Sequence, residues 1–397
     1  MATVIRSDLN VKLACFIFIV CLSLRLVYVW MFLLNHPELA VTPDSYLYQY
    51  LAEQLTQGRF PSIFRTPGYP VFLVLTGGFP QSSIVPTLLA QMILDSLTAV
   101  LLAMIARRLT HDAAAALLAG LFWAFCATAI ISSAWIMSET LTVFLIVAAL
   151  YMALQPLSTK MVLAQSLLWA AAVLTRPSTI AIPLIAVPLV VAFHNHRAKQ
   201  NKQREPEQGV EQQSAEADRR ESVERHALRM RGTGISGVWR HQLQVLALYA
   251  VLLSGWICAN GVRTGWFGFS SLWDVSMYMC ELPAVRILDK LGWSGYTRLP
   301  LEPNLEGWVM FRKEMKAFFN EVYKGHPPEN EWSTVHNPTT VRWLRAEAER
   351  RMRGKLAQRI QIHLYGAVLT IWPISYAPKM YQMNSWISLD GLRIGLL

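Results

Sequence analysis

The sequence contains few cysteines, and their placement excludes a disulfide framework or a structural zinc site. There are five in 397 residues, and no two of them form a C-x-x-C pair. Most fall inside apolar runs, whereas disulfide scaffolds and zinc sites place their cysteines at regular spacings in polar, loop-rich segments. The cysteines are Cys15, Cys21, Cys126, Cys258 and Cys280. We therefore expect neither disulfides nor structural zinc to hold the fold together.

Charged residues are also scarce, which excludes an ordinary soluble domain. Only 16% of the residues are Asp, Glu, Lys or Arg, whereas 53% are hydrophobic. The formal net charge of +10 would favour a nucleic-acid partner in a soluble protein. Here, however, Lys and Arg collect in particular loops, which is the pattern that orients membrane proteins, and no nucleic-acid motif accompanies them. The composition predicts an integral membrane protein without a nucleic-acid partner.

Apolar segments long enough to be candidate membrane crossings occur along most of the chain. They lie near 13–34, 84–106, 113–134, 137–154, 161–175, 178–193, 243–262 and 360–378. The first segment has no small-residue cleavage site and is longer than the apolar core of a signal peptide, so we interpret it as a retained anchor. We predict an all-α integral membrane protein, a multi-spanning helical bundle of about eight crossings.

The segments between the crossings define the expected domains. These are an N-terminal transmembrane bundle over 1–193 with an outer loop at 35–83, a polar cytoplasmic loop at 194–242 that is disordered or loosely helical, a transmembrane helix at 243–262, an outer helical module at 263–359, and the last crossing with a cytoplasmic tail at 360–397. The outer module is expected to contain a helix over 306–324 and another that begins at Asn337-Pro338. Most basic loops fall on one side of the membrane. This pattern predicts a protein of the plasma or inner membrane with its N-terminus on the cytoplasmic side and its outer loops on the other side.

The first outer loop begins with "TPDSYLYQYLAEQLTQG", which predicts a short helix lying along the membrane interface. Apolar residues recur at helical spacing, and Asp44 or Ser45 can cap the first turn. By spacing alone, an N-cap is the more frequent role for Asp44. The following "RTPGYP", residues 65–70, predicts a rigid turn that leads into an apolar segment ending at Phe79.

These residues, taken together with later motifs, resemble a family of membrane enzymes. "SSAWIMSETL", "AAAVLTRPS" and "GWICANGVRTGWFGFSS" follow in the same order, so that the resemblance covers nearly the whole chain. The set is similar to the GT-C class of glycosyltransferases that use polyprenyl-phosphate sugars. That class includes dolichyl-phosphate-mannose protein mannosyltransferase-like proteins and lipid A aminoarabinose transferases.

The resemblance implies transfer of a hexosyl or pentosyl group from a polyprenyl-phosphate donor to a lipid, glycan or protein acceptor at the outer face of the membrane. Asp44 matches the catalytic acid of the first outer loop. The expected substrate-binding residues are Arg65, Tyr69, Glu139, Arg176 and Arg263. Family members often carry a second acid directly after the first, whereas Ser45 stands here, so use of a divalent metal is left open.

Alternative roles are open for the individual residues and for the protein. Arg65 can cap the proline turn, Arg176 can reach the lipid headgroups, and Arg263 can mark the end of a crossing. Arg25, inside the first crossing, is expected to pair within the bundle instead of acting in catalysis. A multi-spanning transporter and a truncated, non-catalytic family member are the competing functions.

Overall fold

The computed structural model describes the chain in several ranges. They are 2–34, 36, 40–60, 62–79, 83–156, 158–208, 235–271, 274, 281–282, 284–286, 288–289, 292 and 338–371. Over these residues the chain is helical and contains no strand, which confirms the all-α class there. The chain divides into two compact units. The first comprises Met1–Gly58 and Pro67–Trp256, and the second comprises Arg59–Thr66 and Ile257–Leu397.

Helices cover every predicted crossing at least in part. They are α1 (Ala2–Tyr28, continued by a π-helical turn over Val29–Leu33), α2 (Pro43–Thr56), α3 (Gly68–Thr76), α4 (Val85–Thr110), α5 (Ala113–Ala124), α6 (Ala127–Ser133), α7 (Glu139–Ala153), α8 (Thr159–Thr175), α9 (Ile182–Gln208), α10 (Ile235–Thr264), α11 (Pro338–Arg351) and α12 (Leu356–Ile371). A short 3-10 turn over Pro177–Thr179 joins α8 to α9.

Among the described residues, four helices are long and apolar enough to cross a membrane. They are Val11–Leu33, Val85–Thr110, Pro177–His196 and Gly237–Thr264. A fifth results if α5 and α6, which meet at a bend of 56°, form one broken span. The apolar helices α7 and α8 have only 15 and 17 residues, shorter than the roughly 20 that usually cross a bilayer. A membrane protein with several candidate spans is thus supported, and the eight crossings remain a prediction.

The bend between α5 and α6 lies against Arg25, which is fully buried. The Arg25 guanidinium pairs with Asp95 of α4 at 2.6 Å, and the indole N–H of Trp123 donates to the same carboxylate at 3.0 Å. Arg25 also donates to the carbonyls of Cys21, Trp123 and Ala124, at 3.2, 3.3 and 2.6 Å. Carbonyls at the end of a helix have no partner within it, so Arg25 satisfies the end of α5. The predicted pairing of Arg25 within the bundle is confirmed.

Two helix boundaries differ from the sequence-based expectation. The helix α9 continues to Gln208, whereas the polar loop was expected from residue 194, and α10 begins at Ile235 instead of 243. The residues that extend α9 are rich in Lys, Arg, Gln and Glu, which are good helix formers, so this helix continues past its last apolar residue. Residues 209–234 and the expected helix over 306–324 lie outside the described residues.

In the second unit, α11 begins at Pro338, as a proline in the first helical turn predicts. Ion pairs connect this part of the chain to the residues before it. Arg345 of α11 pairs with Asp274 at 3.1 Å, and Arg359 of α12 pairs with Glu281 at 2.6 Å. The expected helix start at Pro338 is confirmed by the helix Pro338–Arg351, whereas the expected N-cap, Asn337, lies outside the described residues.

Candidate functional site

The first turn of α2 is capped at Thr42, and Ser45 completes the capping box, so Ser45 takes part in the cap as predicted, whereas the prediction that Asp44 is the N-cap is wrong. Thr42 has an extended backbone, and Pro43 occupies the first helical position. The backbone N–H of Thr42 donates to the hydroxyl of Ser45 at 2.8 Å, and that hydroxyl donates to the carbonyl of Ile136 at 2.7 Å. Proline suits the first helical position, so the N-cap lies directly before Pro43, two residues earlier than Asp44. Asp44 is half-buried in the first turn of α2.

The "RTPGYP" turn brings the start of α3 against the end of α8. A Cβ atom at Gly68 would lie 2.6 Å from the backbone of Leu174 and of Thr175. A side chain at this position would overlap main-chain atoms, so only glycine allows this approach. Arg176 follows Thr175 directly, and its position therefore depends on the contact at Gly68.

Tyr69 holds the turn between α6 and α7. Its ring is fully buried, its hydroxyl donates to Gln91 Oε1 at 2.6 Å, and its ring meets that of Tyr48 edge to face at 4.8 Å. The Gln91 amide in turn donates to the carbonyls of Ser133 and Trp135, at 3.2 and 2.6 Å. A buried amide with both ends engaged fixes the backbone that it bonds. The chain that leads to Glu139 is thereby held in one position.

Glu139, the first residue of α7, forms an ion pair with Arg176, which follows the last residue of α8. Burial by itself lowers the pKa of Arg176, but the Glu139 carboxylate outweighs this effect and raises it, with smaller contributions from Tyr48 and Asp44. Asp44 is therefore within electrostatic reach of the guanidinium. The pair also accounts for a basic residue on the predicted outer side, since its charge is balanced there.

Five residues of the first unit thus come together, and we name them the Arg176 cluster. They are Asp44, Tyr48, Tyr69, Glu139 and Arg176. Four of them are sequence-predicted site residues, drawn from four separate motifs. Tyr48 adds a hydrogen bond from its hydroxyl to that of Ser138 at 3.3 Å.

The other two predicted residues, Arg65 and Arg263, belong to the second unit. The Arg263 guanidinium donates to the carbonyl of Ser62 and to Asn260 Oδ1, at 3.1 and 2.8 Å, and lies over the ring of Phe60. The hydroxyl of the same Ser62 accepts from the backbone N–H of Arg65 at 2.8 Å. Arg65 thus lies in the short segment 59–66, and Arg263 is hydrogen-bonded to the same segment.

Sequence reasoning missed Gln91 and Ser138, which position the cluster. The only available signal for Gln91 was an amide inside the apolar run at 84–106, and Ser138 was visible only as the residue before Glu139. Polar residues within apolar helices usually have a specific partner, but the partner lies elsewhere in the chain. Neither role is readable from local sequence.

No group of three or more His, Cys, Asp or Glu side chains in the described part of the chain is placed to hold a metal ion. Comparison of the chain with protein-family models, with curated proteins and with solved structures gives no match. The resemblance to the GT-C class remains a prediction from the motifs.

Proposed function

We propose that the protein is a GT-C class membrane glycosyltransferase. It transfers a sugar from a polyprenyl-phosphate donor to an acceptor hydroxyl or phosphate on a lipid, glycan or protein, at the outer side of the plasma or inner membrane. The observation that supports this most is the Arg176 cluster, because segments far apart in the sequence bring an acid and an arginine together there. Four of the motifs that carry the resemblance contribute a residue to the cluster, and the fifth, "GWICANGVRTGWFGFSS", carries Arg263 in the second unit.

The reaction requires a proton acceptor and a phosphate-binding cation. The acceptor oxygen attacks the anomeric carbon, the bond from that carbon to the phosphate oxygen breaks, and the acceptor proton passes to a base. Asp44 is the proposed base, and positioned groups of this kind contribute about 10²–10⁴-fold to the rate. Arg176 is the proposed phosphate ligand, since its planar guanidinium binds two phosphate oxygens at once and stabilises the negative charge of the leaving group.

Tyr48 and Tyr69 line the same cluster, and both rings are buried. Their edge-to-face packing gives the base and the arginine a rigid support, and precise positioning is a large part of catalytic rate enhancement. Arg65 and Arg263 are proposed to bind an anionic group of a substrate through the second unit. Because both arginines bond to Ser62 in the second unit, we propose this role separately from that of the Arg176 cluster.

The substitution Asp44→Asn tests the proposed base. Asparagine is similar in size but accepts no proton at neutral pH, and the N-cap at Thr42 is unaffected. We expect a loss of at least about 10²-fold in sugar transfer at an unchanged amount of folded protein in the membrane. The measurement is transfer of labelled sugar from polyprenyl phosphate in purified membranes.

Glu53→Gln is the matched control, since Glu53 is another carboxylate of α2, outside the Arg176 cluster, and is expected to retain normal transfer. Near-normal transfer by Asp44→Asn would rule out Asp44 as the base. Uptake of a solute into proteoliposomes without any sugar transfer would favour a transporter over a glycosyltransferase. The absence of both activities, for every polyprenyl-linked sugar offered, would favour the non-catalytic family member.

A further inference from the structure

The Arg176–Glu139 ion pair leaves part of the carboxylate unsatisfied. Glu139 Oε1 contacts the guanidinium, whereas Oε2 is buried and has no hydrogen-bond partner among the described residues. The hydroxyl of the next residue, Thr140, is also without a partner in that part of the chain, and Thr140 is only 4% exposed. Buried polar atoms of native proteins are almost always paired, so two adjacent exceptions need an explanation.

The same place is the N-terminal end of α7, a helix of 15 residues. The first N–H groups of a helix have no partner within it, and the positive end of the helix attracts anions. Ser138 precedes the helix and its side chain makes no capping hydrogen bond. The helix end and Arg176 therefore both favour an anion at this point, and Glu139 occupies it with only one of its two oxygens bonded to a described residue.

We propose that Glu139 is a built-in competitor of the substrate, whose carboxylate holds the place on Arg176 that a lipid-linked phosphate takes. This inference rests on the proposed function, in which Arg176 binds the donor phosphate. A phosphate carries more acceptor oxygens than a carboxylate. It can therefore accept hydrogen bonds both from the Arg176 guanidinium and from the first backbone N–H groups of α7. A neutral lipid has nothing to exchange for Glu139 and is rejected.

The exposure of the pair makes the exchange feasible. The side chains of Arg176 and Glu139 are 42% and 33% exposed, and ion pairs that water reaches are weak. The Arg25–Asp95 pair is the opposite case, because both side chains are almost wholly buried and the guanidinium has further carbonyl acceptors. An anion can displace Glu139 from Arg176 at little cost, whereas it cannot displace Asp95 from Arg25.

The test compares the binding of geranyl phosphate to the purified full chain in detergent, by isothermal titration calorimetry. We expect Glu139→Gln to bind about fivefold more tightly than the wild type, which is the upper range for loss of a competing exposed ion pair. Geraniol, which lacks the phosphate, should bind both proteins equally. The affinity of Glu139→Asp, whose side chain is shorter, should lie between those of the wild type and Glu139→Gln. This variant replaces Glu139→Gln in the test if the glutamine variant does not fold.

Glu347→Gln is the matched control for charge. Glu347 pairs with Arg350 and Arg351 in α11, so its substitution also raises the net charge by one unit. Its binding of geranyl phosphate should equal that of the wild type. An equal gain in both variants would attribute the effect to net charge and overturn the proposal.

Arg176→Ala separates this inference from the proposed function. We expect it to lose the phosphate-dependent part of binding, with or without Glu139→Gln, and Arg176→Lys gives the same test with the charge retained. Wild-type binding by Arg176→Ala and by Arg176→Lys would contradict the phosphate site itself. Loss in those variants, together with equal or weaker binding by Glu139→Gln, would leave the phosphate site standing and show that Glu139 positions Arg176 instead of competing.

Discussion

Arg25 and Arg176 each pair with a carboxylate, but their surroundings give them different roles. Arg25 has no exposed surface and donates to Asp95 and to three backbone carbonyls. Arg176 is partly exposed at the end of α8 and shares its surroundings with Asp44 and Glu139. A buried charge whose hydrogen bonds are all made stabilises the fold, whereas an accessible charge can exchange its partner for a ligand.

The substitution Asp95→Asn tests the structural role of the Arg25 pair. It removes the balancing charge and leaves Arg25 buried, so we expect a loss of about 3–5 kcal/mol in the free energy of unfolding. Thermal or denaturant unfolding of the protein in detergent measures it. Asp289→Asn is the control, because its partner Lys355 is 37% exposed, and this pair should contribute less than about 1 kcal/mol. Equal losses of unfolding free energy in the two variants would contradict a stabilising role of the Arg25–Asp95 pair.

At the scale of elements, the candidate site depends on how helix ends meet. The start of α2, the start of α7 and the end of α8 supply Asp44, Glu139 and Arg176. Gln91 of α4 fixes the turn before α7 through two carbonyls, and Gly68 lets α3 approach the backbone of α8. The starts of α2 and α7 are N-terminal helix ends, whose unpaired N–H groups and partial positive charge favour anions.

The substitution Gly68→Ala tests the contact between α3 and α8. Its Cβ would lie 2.6 Å from backbone atoms of α8, so one helix must move, at a cost of about 1–3 kcal/mol in unfolding free energy. Because Arg176 directly follows the contact, binding of geranyl phosphate should weaken as well. Gly255→Ala in α10 is the control, since a Cβ there meets nothing within 4 Å. It should be neutral or stabilise the helix by up to about 1 kcal/mol. An equal loss of stability in both variants would contradict the proposed contact.

At the scale of the whole molecule, charge distribution predicts which ends of the first unit face the cytoplasm. Arg107 and Arg108 lie in the last turn of α4, and Asp44 lies in the predicted outer loop at 35–83. Basic residues accumulate on the cytoplasmic side of membrane proteins. We therefore expect the end of α4 inside and the end of α2 outside.

Cysteine labelling in intact cells tests this topology. Gln57→Cys, at the exposed end of α2, should react with a membrane-impermeant maleimide at once. Thr110→Cys, at the exposed end of α4, should react only after the cells are permeabilised. Labelling of the wild type, which retains its own cysteines, gives the background. The reverse pattern would place the Arg176 cluster on the cytoplasmic side and contradict the proposed orientation.

The sequence by itself determined which segments are helical and where many of them begin. Apolar runs coincide with helices throughout the described residues, and the proline at Pro338 marked the start of α11. Such signals are local, because the hydrogen bonds of a helix join residues four apart and its apolar character depends on consecutive residues. The need of Arg25 for a partner was readable for the same reason, since a charge in an apolar run is costly alone.

Only the tertiary structure decided which residues meet. Asp95 lies 70 positions from Arg25, Ile136 lies 91 from Ser45, and the cap of α2 at Thr42 is stabilised by Ser45, which in turn bonds Ile136. The grouping of Asp44 and Glu139 around Arg176, and the support from Gln91, arise in the same way. The physical reason is that contacts between distant segments depend on how whole helices pack, on their bends and on close approaches such as that at Gly68, and no local pattern encodes these.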